Sequence, residues 1–176
     1  MMLAARGPQP SIGGPRGRPA HYPRPVHRLV ASSFGLGYLP RLLWKSDSGA
    51  GTFGAGLAAV VGLVLWANEA PWWVTLLLAL AATAASLWSA IPFAVGRADP
   101  GWVCMDETAG TFLALVGLRG WPWLVALVVA RLADIFKVLP GVRRAESLPG
   151  ALGVTADDLV AGLYGLAAGW LLAILR

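Results

Sequence analysis

The stretch WWVTLLLALAATAASLWSAIPFAV, Trp72–Val95, decides the class of fold. It carries no Asp, Glu, Lys or Arg from end to end. A bilayer hydrocarbon core needs about 20 apolar residues in helical form, and this run is long enough to cross it. The rest of the chain agrees. Of its 176 residues 57% are hydrophobic and 13% are charged, and the mean hydropathy is +0.64. A soluble domain carries about 25% charged residues, roughly twice as many. Nine Trp suit membrane–water interfaces, where an apolar ring with one polar N–H is comfortable. The length allows one domain with about four to five membrane segments. The expected fold is therefore all-α, a polytopic helical membrane bundle.

Upstream of Trp72, the apolar run Phe53–Ala67 reaches spanning length when counted from Gly49. Downstream, GRADPGWVCMDE reads as a loop. Thr108–Leu118 would be only about 17 Å long as a helix. With the break RGWP and then Trp121–Phe136 it forms the arms of a hairpin, either thin tilted spans or a re-entrant dip. A polar loop over 137–158 precedes a last helix, Leu159–Leu175, whose Gly165 and Gly169 have the spacing of close helix packing. Residues 1–28 hold six of the thirteen Pro and five Arg, a composition that predicts a disordered basic tail ahead of a membrane domain at 29–176. This tail has no apolar core, so it is not a signal peptide. Both histidines, His21 and His27, fall in it, which argues against histidine catalysis.

The net charge is +5, yet the basic residues form no stripe with interleaved aromatics, so nucleic acid is not the expected partner. Seven of the fourteen lie before position 46, a pattern that suits a cytosolic flank. From that flank, an even number of crossings returns Asp106–Glu107, the end of the hairpin and Asp157–Asp158 to one membrane face. The single Cys104 excludes an intramolecular disulfide and any multi-cysteine metal site.

Acids are scarce, so their positions are informative. Five of the nine form three sets: Asp106–Glu107, Asp134 and Asp157–Asp158. Carboxylates without histidine suit a hard cation such as Mg2+. Arg131 and Lys137 flank Asp134 at three-residue spacing in RLADIFK, and charges in an apolar setting usually serve a function. Carboxylates, metal and cations together suit phosphate chemistry. Each set also has a purely structural reading. Arg131 and Asp134 can form an ion pair one helical turn apart. Asp106–Glu107 and Asp157–Asp158 can serve as helix caps. Their convergence on one face favours a shared site. GAGTFG, Gly49–Gly54, matches GxGxxG, but no strand precedes it, so a dinucleotide fold is rejected. Glycines at a helix start, with Thr52, can still hold an anion, or simply pack closely.

Four short segments, in order, carry a resemblance: FGLGYLP (Phe34–Pro40) with AGTFGAG (Ala50–Gly56), MDETAG (Met105–Gly110), RLADIFKVLP (Arg131–Pro140) and GALGVTADDLVAG (Gly150–Gly162). Together they resemble the phosphatidylglycerophosphatase A family, over about Ser33 to Arg176. Ala50, Ala55 and Val138 depart from the family's pattern. The resemblance implies Mg2+-dependent hydrolysis of phosphatidylglycerophosphate to phosphatidylglycerol and phosphate, by a multi-pass protein of the bacterial inner membrane with its site facing the cytosol. On that basis Asp106, Glu107, Asp134, Asp157 and Asp158 are expected to hold the metal and orient water. Gly51, Thr52, Arg131 and Lys137 are expected to bind phosphate. The alternatives are a phosphomonoesterase acting on another lipid phosphate, and a non-enzymatic membrane scaffold or transporter subunit.

Overall fold

The computed structural model describes residues 24–94 and 100–175. Every regular element among them is helical. The elements are α1 (Pro25–Ala31), a 3-10 turn (Leu36–Tyr38), α2 (Leu39–Trp44), α3 (Ala50–Ala67), α4 (Trp72–Ala90), α5 (Met105–Ala114), α6 (Gly120–Phe136), α7 (Val142–Glu146) and α8 (Ala151–Ile174).

Three of these helices are long and apolar enough to cross a membrane: α3, α4 and α8, of 18, 19 and 24 residues. Four to five such segments were expected, and three of the described helices qualify. At 10 residues α5 is about 15 Å long, half a hydrocarbon core. It is also not one arm of a simple hairpin. Both α5 and α6 lie chiefly against α8, and α5 additionally packs on α3 and α4. The short helix is thus the hub of the bundle, and all but Glu107 and Leu113 of its residues are buried.

Small residues let the backbones meet there. A Cβ on Gly162 would run into the Gly110 carbonyl, and one on Gly110 into the Asp158 carbonyl. This contact locks the first turns of α5 beside the part of α8 that bears Asp157 and Asp158. Further along α8, Gly165 sits on Ala126 and Ala130 of α6, and Gly169 on Pro122 and Ala126. The expected close packing of the Gly165–Gly169 pair is therefore present. Large apolar side chains point the other way, with Val60 and Val64 of α3, Leu77 and Leu80 of α4, and Leu163 and Leu171 of α8 all exposed. A surface of that kind suits lipid.

Several element boundaries differ from the sequence expectation, among them α5, which starts at Met105 and not at Thr108, so that Asp106 and Glu107 lie in its first turn, and ends at Ala114 and not at Leu118. Helix α4 stops at Ala90 and not at Val95, where Pro92 just beyond its end has no N–H to continue the helical hydrogen bonds. Helix α8 begins at Ala151, eight residues before Leu159, after Gly150 turns the chain with φ 63°. Asp157 and Asp158 consequently lie inside a helix and do not cap it. Of the expected tail, residues 1–23 and with them His21 lie outside the described residues, but Pro25 opens α1 at a position that suits proline. His27 is stacked on Trp88 of α4, with ring centroids 4.4 Å apart.

Candidate active site

Three helices bring their charged residues to one end of the bundle. The first turn of α5 supplies Asp106 and Glu107, the last turns of α6 supply Arg131 and Asp134, and α8 supplies Asp157 and Asp158. The start of α3 closes on them. A Cβ at Gly51 would collide with Glu107 Oε1, so a side chain there would displace the carboxylate.

The five acids form two triads that share one member. Carboxylate oxygens of Asp106, Glu107 and Asp158 lie within 4.8 Å of one another, as do those of Asp134, Asp157 and Asp158. Asp106, Asp157 and Asp158 are buried, with 5%, 5% and 7% of their surface exposed. Each triad also contains a carboxylate oxygen that is out of solvent and has no hydrogen-bond partner: Glu107 Oε2 in the first and Asp157 Oδ1 in the second. Leaving such an acceptor unsatisfied costs about 1–3 kcal/mol, and more when it is charged. Between the helices runs a cleft of about 10 Å3, bordered by Glu107, Thr111, Arg131, Asp134 and Asp158. That is room for roughly one water-sized particle. Crowded oxygens, two orphaned acceptors and a void of ionic size fit a bound hard cation.

The two expected phosphate-binding cations are already engaged. Arg131 Nη1 donates to Asp134 Oδ2 at 2.7 Å, with both side chains mostly buried. The ion pair considered from the sequence is thus real, and Asp134 belongs to a triad as well. Lys137 Nζ bridges Asp157 Oδ2 and Glu146 Oε1, each at 2.7 Å. Burial alone would lower the Lys137 ammonium, but its hydrogen bonds to Asp157 and Glu146 outweigh this and raise it above the ordinary lysine value. Its charge is therefore permanent at physiological pH. The start of α3 is less open to anions than its glycines suggest. The N–H groups of Ala50, Thr52 and Phe53 already donate to the carbonyls of Asp47 and Gly49, and Thr52 is exposed.

Some supporting residues were not singled out in the sequence. Ser33 Oγ contacts Thr108 Oγ1 at 2.7 Å and donates to the Cys104 carbonyl, and Thr108 Oγ1 donates to the Gly54 carbonyl at 2.9 Å. This buried network ties α3 to the turn that presents Asp106 and Glu107. FGLGYLP is part of the same support, because Gly37 abuts the Trp102 carbonyl and Tyr38 stacks on the Trp102 ring at 5.1 Å. Burial pushes the Cys104 thiol up to about 12, so it is a neutral packing group. Glu146, the second partner of Lys137, was also missed.

The sequence pattern of the family described as Phosphatidylglycerophosphatase A matches residues 29–173. A putative phosphatidylinositol-3-phosphatase of Bacteroides thetaiotaomicron is 33% identical over 145 residues, covering 77% of this chain and 86% of that protein. Phosphatidylglycerophosphatase A of Escherichia coli is 32% identical over 90 residues, covering 46% of this chain and 52% of that one. The Haemophilus influenzae protein of the same name is 32% identical over 75 residues, 41% and 46% of the two chains. No solved structure matches.

Proposed function

The chain belongs to the phosphatidylglycerophosphatase A family and is a phosphatase, and from that premise we propose that it removes the terminal phosphate of phosphatidylglycerophosphate in a Mg2+-dependent hydrolysis, at the cytosolic face of a bacterial inner membrane. The observation that carries this reading is the pair of carboxylate triads joined at Asp158, with an orphaned oxygen in each. Asp106, Glu107 and Asp158 would hold one divalent cation, and Asp134, Asp157 and Asp158 offer a second arrangement of ligands. When bound, the cation supplies neutralisation of phosphate oxygens and a lower pKa for a coordinated water.

The chain's own residues do the rest. Arg131 borders the cleft and can turn donors toward a phosphate while Asp134 fixes its guanidinium, a planar fork matched to phosphate oxygens. Lys137, held by Asp157 and Glu146, places a permanent positive charge at the mouth of the second triad. Gly51 keeps α3 against Glu107 and so shields that side of the cluster from water. Thr52, exposed at the start of α3, is in reach of a headgroup at the rim. A membrane-level site explains the substrate class, since the phosphate of a lipid is presented where these helices end.

A second reading keeps the chemistry and changes the headgroup. It is favoured by the name of the Bacteroides relative, a putative phosphatidylinositol-3-phosphatase that matches most of this chain. Phosphate release by purified protein, with and without Mg2+, from phosphatidylglycerophosphate, phosphatidic acid and phosphatidylinositol 3-phosphate separates the two. Highest kcat/KM on phosphatidylglycerophosphate is expected. Full activity in excess chelator would refute the metal, and preference for the inositol lipid would select the second reading.

A further inference from the structure

Beside the acid cluster lies a concavity of about 470 Å3 formed by residues 137–141 with Arg143 and Arg144. Its wall is held in place. Val142 is fully buried and Ala145 nearly so, α7 packs on α8, and Tyr164 Oη of α8 donates to the Pro140 carbonyl at 2.8 Å. Gly141, with φ 91°, turns the chain so that Arg143 and Arg144 face the same hollow as Lys137. Both arginines are exposed, and neither forms an ion pair among the described residues, whereas Arg41, Arg131 and Lys137 each do. Glu146, on the same short helix as the two arginines, is engaged by Lys137. Two unpaired guanidinium groups in a concave wall make an anion site without an anion of its own. Lys137 is common to the hollow and the cluster, for its Nζ is 2.7 Å from Asp157 Oδ2.

We propose that this hollow is a second anion subsite, in which Arg143 and Arg144 hold the phosphodiester of the lipid while the terminal phosphomonoester lies at the carboxylate cluster. The inference rests on the functional reading above and deepens it. Phosphatidylglycerophosphate carries two phosphates one glycerol unit apart. The structure offers two adjoining sites of different character, one acidic and fitted to a cation, the other purely basic. A diester needs no metal for recognition and is not cleaved there, so unpaired guanidinium groups suffice. The subsite would make the enzyme prefer a substrate with both phosphates over one with a monoester alone. The same arginines could instead attract the phosphodiesters of bulk anionic lipid, and the test separates the two sources.

Full-length wild type is compared with Arg143→Gln, Arg144→Gln, the double variant, and Arg143→Lys/Arg144→Lys, all in neutral detergent micelles. The side chains are exposed, so melting midpoints should match wild type. The substrates are phosphatidylglycerophosphate and phosphatidic acid, which has the monoester and no diester. For the double Gln variant, KM for phosphatidylglycerophosphate should rise roughly tenfold or more with kcat nearly unchanged, and the Lys variant should recover part of the loss. Kinetics on phosphatidic acid should not change. An equal loss on both substrates, or none on either, overturns the subsite. A loss seen only in vesicles containing anionic lipid, and absent in neutral micelles, assigns the arginines to the bulk surface and also overturns it. If wild type is inactive on phosphatidylglycerophosphate, the functional reading falls and the subsite with it. If wild type is active and the KM is unmoved, the subsite alone falls.

Discussion

Replacing Glu107 with Gln should raise the stability of the metal-free protein and abolish its stabilisation by Mg2+. The two effects have opposite signs and one cause. In the metal-free state Glu107 shares a space with Asp106 and Asp158 in which oxygens lie within 4.8 Å of one another. At that separation two full charges repel by about 3 kcal/mol with an effective dielectric of about 20. Crowded carboxyls avoid much of this by taking up protons, so the relief on neutralising one is smaller, about 1–2 kcal/mol. A Gln amide can also donate to the neighbouring carboxylates where Glu107 Oε2 has no partner. For a chain of this size that gain corresponds to a midpoint about 2–8 °C higher. With a cation at about 100 times its Kd, wild type should gain about 2.7 kcal/mol, whereas the variant, short of one charged ligand, should gain little. Thermal melts in neutral detergent at a fixed scan rate, in chelator and in Mg2+, give all four midpoints. Suppose Glu107→Gln melts below wild type in chelator and keeps the full Mg2+ shift. Glu107 would then be a structural acceptor, and the argument from orphaned oxygens would fail.

Asp134 poses the related question of pair against ligand. Asp134→Asn should fold and lose at least tenfold in turnover, and Arg131→Gln should not rescue it; an active double variant in a double-mutant cycle would make the pair merely structural. At the hub, Gly162→Ala should push α5 off α8 and cost about 2 kcal/mol or more together with activity, because its Cβ meets backbone. Gly56→Ala is the internal control: nothing lies within 4 Å of its Cβ, so stability should hold or rise, and equal damage from both would discount the helix contact. Since burial holds the Cys104 thiol at about 12, it stays protonated far above neutral pH, and maleimide should label it only after unfolding; rapid labelling of folded protein at pH 8 would contradict its burial. Deleting residues 1–23 should leave turnover on detergent-solubilised lipid within about twofold, since no motif residue lies there; a larger fall with the melting midpoint preserved would bring the tail into the site.

The acids were legible in the sequence because they are few. In a chain so poor in charge, Asp106–Glu107, Asp134 and Asp157–Asp158 stand out, and the return of the chain to one face could be argued from the apolar runs between them. The structure brings these residues together, and the ion pair foreseen between Arg131 and Asp134 is formed. The two longest uninterrupted apolar runs, α3 and α4, were equally plain. What stayed hidden was the start of α8 and the central place of α5, and both have one physical origin. Lipid tails are as apolar as leucine, so burial in a membrane bundle is driven by close packing and polar contacts, not by hydrophobicity. The inward face of α8 is Gly153, Thr155, Asp157, Asp158, Ala161, Gly162, Gly165 and Gly169, while Leu163 and Leu171 face outward. Read by hydropathy, ALGVTADD looks like a loop; read by size, its small residues already keep the helical spacing that continues to Gly169. The same inversion makes α5, with Ala109, Gly110 and Ala114 buried, the most enclosed helix despite its modest apolarity. Small residues at helical spacing therefore mark where the helices of this protein touch, and the five clustered acids sit at those contacts, screened from lipid.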